Sequence, residues 1–377
     1  MNITDFKHFI NEIEKITENN FLLVHKSICI KNNDFLFKIK TSDNFKEMTL
    51  NKIRRLYNAY KNSEYQKKAI LTDIQNLFYN SWDGAYSELS TYDFFNFVFE
   101  TPCKIQVNDI DKEQTLSKYC YKTGVSEIDG FSKDIISFFE IKTFTIRLPD
   151  IIAKLKREVE NNNKNEYFAI QANYPHNIEI KNDKVYALLK KELIAAKETK
   201  CKYLSSKVIP GMHFNFYYEP QIIVETYSDE NLYQTAQRIE YFPLQDYKQF
   251  VDGHFLKIFF CSKLSSHQWI YCNKDFFRAL SRRVFCRLTK IEEQFDKNSN
   301  LTTSFIAKHI GGLIFIVDMS SCTDKVIDNP ADLYSAYIYS NPNAELTSSF
   351  VGYRNLCFQL SKKKVKFDSD NFKYDNY

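Results

Sequence analysis

Four charged side chains flank a polar turn in one short apolar stretch: Glu127, Asp129, Glu140 and Lys142, on either side of Lys133-Asp134 within residues 125–146, VSEIDGFSKDIISFFEIKTFTI. The stretch reads as two strands joined by a tight polar turn at Ser132-Lys133-Asp134. Side chains two apart on a strand share a face, so Glu140 and Lys142 point the same way while Ile141 points into the core. A two-residue turn at Lys133 and Asp134 puts Glu127 and Asp129 on that same face. Carboxylates and an ammonium beside buried strands cost solvation unless a partner or a metal compensates them.

An acid two residues before a lysine is common in a chain with 26% charged residues, and it recurs at Asp5-Phe-Lys7, Glu179-Ile-Lys181, Glu198-Thr-Lys200 and Asp246-Tyr-Lys248. Context separates Glu140-Ile-Lys142 from these four. An apolar run, Ile135-Ile136-Ser137-Phe138-Phe139, leads into it, and Asp129 lies on the adjoining strand.

The elements that must position these groups follow from the pattern. A helix from Asp83 to about Phe99 is nearly all apolar or aromatic, yet Glu88 lies on its stripe Ala85, Glu88, Tyr92, Phe95, Phe99. A strand near Lys104–Val107, the two strands above, a helix from about Pro149 to Asn161 and a strand at Tyr167–Gln171 complete the run. Gln171 would stand beside the site if that last strand joins the same sheet. Upstream, residues 4–16 have helical spacing with Thr4 as N-cap. Residues 21–40 read as a hairpin, Leu22–Ile30 and Phe35–Ile39, turning at Asn32-Asn33-Asp34. Residues 46–80 read as helix with a break near Asn62-Ser63, and Lys52, Arg54, Arg55 and Lys61 read as a solvated face in preference to a DNA contact. Downstream, a Lys-rich helix spans 183–200, strands are expected at His213–Tyr218, Gln221–Glu225, Leu256–Cys261 and Leu313–Asp318, and a helix at Asp275–Gln294. Arg278, Arg282, Arg283, Arg287 and Lys290 crowd one side of that helix as either a solvated face or a phosphate-gripping one.

The whole chain of 377 residues, 44% hydrophobic, is globular in composition and long enough for two domains. No apolar run approaches a membrane span, and the opening residues lack a secretory leader. Nine cysteines form no Cys-x-x-Cys pair, which disfavours a zinc ribbon or disulfide framework and fits a reducing cytoplasm. The net charge of +4 is compatible with a nucleic-acid partner without requiring one. No histidine pair has metal-ligand spacing, and no phosphate loop of the Gly-x-x-x-x-Gly-Lys-Ser/Thr type is present.

Glu127-Ile-Asp129 followed by Phe-Phe-Glu140-Ile-Lys142-Thr143 resembles the motif of the PD-(D/E)xK nuclease superfamily, which includes restriction endonucleases and junction resolvases. Ile128 stands where the name-giving proline would be. The family core is helix, three-stranded meander, helix and strand, the order read over 83–171. The resemblance implies a mixed α/β (α+β) fold with a restriction-endonuclease-like core at 83–175. A helical region at 1–82 and an α/β region at 176–377 would supply DNA grip, target choice or dimerisation. It implies a Mg2+- (or Mn2+-) dependent DNA endonuclease, a restriction or phage-defence enzyme by its size. The other readings are a repair, recombination or RNA-directed nuclease, and a non-catalytic nucleic-acid-binding protein. Asp129 and Glu140 would be the metal ligands, with the Ile141 carbonyl a third and Glu127 an alternative or additional one. Lys142 would orient water or stabilise developing charge, and Glu88 would serve as the helix acid. The partner expected is double-stranded DNA, with two copies of the chain on a symmetric site and no membrane.

Overall fold

The computed structural model describes residues 6–20, 33–108, 110–121, 127–144, 147–160, 167–173, 183–220, 229–264, 272–344 and 348–373. The chain begins with five helices, α1 (Lys7–Thr17), α2 (Asp34–Thr41), α3 (Asp43–Tyr60), α4 (Glu64–Asn76) and α5 (Trp82–Val98), then strands β1 (Lys104–Val107), β2 (Ile128–Ser132) and β3 (Ser137–Thr143). Next come α6 (Arg147–Glu160), β4 (Ala169–Asn173), α7 (Asp183–Glu198), β5 (Tyr203–Ser205), β6 (His213–Tyr217) and α8 (Asp229–Arg238). The remainder is β7 (Phe255–Ser262), α9 (Lys274–Arg282), α10 (Thr303–Lys308), β8 (Gly312–Asp318), α11 (Pro330–Leu333), β9 (Tyr334–Ser340), α12 (Ser348–Lys362) and β10 (Lys366–Asp370). No described helix is long and apolar enough to cross a membrane.

The chain is mixed α/β and divides into two units. The larger comprises residues 1–144, 240–265 and 272–377, and the smaller residues 145–239 and 266–271. The contacts therefore do not divide the chain at 82 and 175. The N-terminal helices belong with β1–β3 because they share one apolar core with that sheet: Phe9, Phe35, Leu56, Tyr86 and Phe95 cluster with Phe139, Ile141, Ile258 and Ile314.

The larger unit is built on a seven-stranded mixed sheet in the order β1-β2-β3-β7-β8-β9-β10. β2 pairs antiparallel with β1 and β3, and β7 lies parallel to both β3 and β8. The alternation along each strand sorts its side chains. Phe139, Ile141, Ile258 and Ile314 face the helical core, while Phe259 and Phe315 on the opposite face stack at 5.2 Å and Phe315 meets Phe277 of α9. In the smaller unit, β4, β6 and β5 form a separate antiparallel sheet. Its core holds Leu155 and Val159 of α6, Leu189 and Leu193 of α7, and Phe214 and Phe216 of β6. The strand expected at Tyr167–Gln171 thus forms but pairs with β6, and β7 takes the place beside β3.

Other expectations change for local physical reasons. The second arm of the hairpin expected over 21–40 is helix α2. Asn33 is its N-cap, accepting from Leu36 N at 2.9 Å, and both Phe35 and Leu36 are buried while Phe37 is exposed, which strand alternation cannot give. The first arm, Leu22–Ile30, lies outside the described residues, as do Thr4 and the strand expected at Gln221–Glu225. Lys52 and Arg55 are not on a solvated face. Lys52 is buried, 2.7 Å from Ser90 Oγ and 3.5 Å from Asp318 Oδ2, and Arg55 donates to Asp93 at 2.8 Å. The basic helix stops at Arg282 and continues as a wider π-turn, Arg283–Arg287, and a 3-10 turn, Leu288–Lys290.

Gly130 shows how tightly β2 and β3 are matched. It pairs with Phe139, whose ring lies over it: a Cβ built on Gly130 would come within 2.1 Å of that ring. The same ring stacks on Phe95 of α5 at 5.0 Å. Gly130→Ala is expected to lower unfolding free energy by about 1–3 kcal/mol through overpacking, measured by urea denaturation. Adding Phe139→Leu should make the Gly130→Ala step less costly, and an unchanged cost would contradict this packing account.

Candidate active site

The turn between β2 and β3 is four residues, 133–136, with Gly130↔Phe139, Phe131↔Phe138 and Ser132↔Ser137 in register. Compared with a two-residue turn, the pairing slides by two positions. A slide of two preserves the faces, so the expected face holds, but Asp129 rather than Glu127 is brought level with Glu140. The regular ladder stops at Gly130↔Phe139. Beyond it, the Ile141 N–H donates to Asp129 Oδ2 at 2.6 Å, a side chain standing where a strand carbonyl would accept.

The other edge of β2 is interrupted at the same level. Its register with β1 includes Ile105↔Gly130 and Val107↔Ile128 but no pair at Gln106, which has φ 46°. The freed carbonyls are taken up by tyrosines: Tyr92 of α5 donates to Asp129 O at 3.0 Å, and Tyr65 of α4 to Gln106 O at 2.8 Å. Helix α5 is also fixed at its start. Ser87 Oγ meets Thr143 Oγ1 at 2.7 Å, and Thr143 Oγ1 donates to Asp83 O at 3.2 Å.

Glu140 is buried. Its Oε1 lies 3.0 Å from Lys142 Nζ, and its Oε2 has no hydrogen-bond partner among the described residues. Lys142 Nζ is also 3.1 Å from Asp246 Oδ2. Across the parallel pairing Glu140 aligns with Lys257, which is fully buried and donates to Gln245 O at 3.3 Å. Two further carboxylates bear on the same charges. Asp73 of α4 is buried with Oδ2 unpartnered among the described residues, and Glu88 of α5 is half-buried.

The electrostatics follow from this crowding. Burial, then repulsion from Asp129 and Glu127, pushes Asp73 up to about 8. Burial, then Asp73 and Glu140, pushes Glu88 up to about 8. Asp129 is also raised well above the carboxylate range by burial and by Glu140 and Glu88, against the Ile141 N–H that favours its charge. Burial opposes the charge on Lys142, but Glu140 and Asp246 outweigh it and raise its pKa. For Lys257 burial wins and lowers the pKa to about 8, despite the pull of Glu140.

Of the residues singled out in the sequence, Asp129, Glu140, Ile141 and Lys142 are brought together, and Glu88 shares their field. Glu127 is exposed and accepts from Tyr65 OH at 2.8 Å. Gln171 belongs to the smaller unit, where Tyr217 OH donates to it at 2.8 Å. Arg283 does not serve a phosphate-gripping face: it is buried and donates to Glu240 Oε2 at 2.6 Å, and Arg287 pairs with the same carboxylate. Four residues apart on the π-turn, the two arginines share one face and one acid. Arg278 pairs with Asp370 at 2.7 Å, while Arg282 is half-buried and Lys290 exposed.

Three members escaped the sequence reading. Asp246 belongs to one of the four discounted acid-x-Lys pairs. Lys257 is the single charge in the strand FLKIFFCS, a signal as strong as Glu88 on its apolar helix. Asp73 shares the stripe of Ile70, Ile74 and Leu77, which are buried with it.

Among the described residues no three His, Cys, Asp or Glu side chains are gathered so as to hold a metal ion. The expected set asks for two carboxylates and a carbonyl. The donors present are all oxygens, which suits a hard cation, and Glu140 Oε2 is a buried carboxylate oxygen left without a hydrogen bond. By donor type these residues would suit such an ion, and Asp129, Glu140 and the Ile141 carbonyl are the groups that would hold it.

The raised acids make a pH prediction. Folded Asp73 keeps its proton up to about pH 8, whereas an unfolded carboxyl loses it near about pH 4. The folded chain binds the extra proton between these values, so this group's contribution to stability falls as pH rises through that window. Without divalent cations, Asp73→Asn should therefore flatten the fall in melting temperature between about pH 5 and pH 8. Parallel curves for the two proteins would contradict the assignment.

Compared with known proteins, the chain matches no family model, no curated protein and no solved structure, so any functional reading stands on the geometry above.

Proposed function

We propose that this chain is a Mg2+- or Mn2+-dependent endonuclease that hydrolyses phosphodiester bonds in DNA. One observation carries the reading: at the end of the β2–β3 ladder, Asp129 accepts from Ile141 N–H beside a buried Glu140 with an unpartnered oxygen and beside Lys142. A phosphodiester is anionic and repels hydroxide, so hydrolysis needs cationic charge at the phosphate and an activated water. A bound divalent cation supplies both by neutralising phosphate oxygens and acidifying water. The chain's own part is to hold two carboxylates and a carbonyl on one side, and to present an ammonium where negative charge develops. Lys142 keeps its proton because Glu140 and Asp246 stabilise its charge, so it acts as a charge and hydrogen-bond donor rather than as a base. Glu88, on the helix that also bonds Asp129 O through Tyr92, is the outer acid of the set.

The resemblance to the PD-(D/E)xK superfamily supports the same reading. In that reading the core is α5, the meander β1–β3 and the parallel strand β7, with the smaller unit inserted between β3 and β7. It departs from the family order in one respect: no described α-helix of the larger unit lies between those two strands. A restriction or phage-defence role rests on the size of the chain around this core.

Purified protein should cleave plasmid DNA with Mg2+ or Mn2+ and not with EDTA. Glu140→Ala and Lys142→Ala should each lower the rate by at least about 100-fold while retaining the wild-type far-UV spectrum. Full activity in either variant would remove the assigned site. Cleavage of RNA but not DNA would reassign the substrate, and binding without cleavage would make the chain a nucleic-acid-binding protein.

A further inference from the structure

The lysine of the motif is held from outside the motif. Lys142 Nζ lies between Glu140 Oε1 at 3.0 Å and Asp246 Oδ2 at 3.1 Å. Lys257 Nζ is 3.9 Å from the same Asp246 oxygen. Two ammonium groups thus share two carboxylates, one on β3 and one on the turn through which the chain re-enters the larger unit. That turn is anchored at both ends, by Phe242 stacked on Phe259 at 5.5 Å and Phe250 stacked on Phe255 at 4.5 Å. Between the anchors, Asp246 adopts a left-handed backbone, φ 61°, and Gln249 Nε2 donates to Glu127 O at 3.2 Å. The turn is shaped around the site, and the Asp246 side chain, 48% exposed, is its charged tip.

We infer that Asp246 is a positioning residue that holds Lys142 in place when Glu140 engages a divalent cation. The inference rests on the function proposed above. Electrostatics give the reason. A carboxylate that coordinates a cation has less charge and fewer lone pairs to offer an ammonium. Of the two acids within reach of Lys142 among the described residues, one is then diverted, and Asp246 remains. Lys257 has no way to replace it, because like charges repel and Lys257 itself leans on Asp246. Without Asp246 the flexible four-carbon stem of Lys142 has one competing partner and no fixed direction. A charge displaced by about 1 Å from a reacting phosphate can cost about 100-fold in rate.

Asp246→Asn tests this, since asparagine accepts the left-handed backbone as aspartate does but carries no charge. Cleavage is followed at saturating Mg2+ in the full-length wild type, Asp246→Asn, Asp246→Glu and Glu140→Gln, with melting temperatures for all four. For Asp246→Asn the expectation is a kcat lower by about 10- to 100-fold, with KM and the half-saturating Mg2+ concentration unchanged and a near-wild-type melting temperature. Asp246→Glu should recover part of kcat. A kcat within about twofold of wild type in Asp246→Asn, alongside an inactive Glu140→Gln, would overturn the positioning role and leave the nuclease reading standing. So would a loss confined to KM or to Mg2+ affinity, which would make Asp246 a binding residue. A wild type that cleaves nothing would overturn the nuclease reading, and this inference with it.

Discussion

Everything at the candidate site depends on a backbone hydrogen bond given to a side chain. The Ile141 N–H donates to the Asp129 carboxylate, and the ladder between β2 and β3 ends there. A buried amide must be paired, so the strands can separate only because Asp129 reaches across to satisfy it. The same bond orients the carboxylate and brings Asp129 level with Glu140. On the far side of β2 the left-handed Gln106 interrupts the other ladder, and Tyr92 and Tyr65 bond the carbonyls this leaves. The Ile141 N–H and the Asp129 and Gln106 carbonyls are thus paired at the gap, while Glu140 Oε2 and Asp73 Oδ2 have no hydrogen-bond partner among the described residues.

That charge is costly to hold in the folded chain. Asp73, Glu88 and Asp129 each resist ionisation because burial and their neighbours oppose it. Lys142 and Lys257 are the cations drawn toward this group, and both lean on Asp246 as well. A fold selected only for stability would fill such a place with apolar side chains, since hydrophobic replacements of buried ion clusters are often neutral or stabilising. The surrounding packing shows that the chain can do so: the Phe95–Phe139 stack lies one strand residue from Glu140, and the Phe259–Phe315 stack two from Lys257. In the function proposed for this chain, the compensation for this destabilising cluster of oxygens would arrive with a cation and an anionic substrate.

Much of this was legible in the sequence where a local rule sufficed. Helices α1, α3, α4, α5, α6 and α7, and strands β1, β3, β6, β7 and β8, follow from periodicity, and the shared face of Asp129, Glu140 and Lys142 from spacing on a hairpin, whereas the four-residue turn that brings Asp129 rather than Glu127 level with Glu140 does not. What failed required knowledge of long-range partners. Asn33 reads equally as a turn and as a helix cap, and only the burial of both Phe35 and Leu36 decides it. Arg283 reads as a surface cation because Glu240, forty-three residues away, cannot be seen from the helix pattern. Gln171 stands beside the site only if its strand joins the sheet of β3, as consecutive strands usually do, yet more than a hundred residues separate β3 from its neighbour β7. Asp246 lies in that same interval, so its approach to Lys142 is equally invisible to local spacing.

The central claim is that the carboxylates at the ladder break exist to hold a divalent cation. Isothermal titration of Mn2+ into the metal-free protein, with Asp129→Asn beside the wild type, tests it without any substrate. The account predicts saturable binding to the wild type and a loss of at least about tenfold in affinity in Asp129→Asn. Equal affinity in the two proteins, or no binding to either, would contradict it.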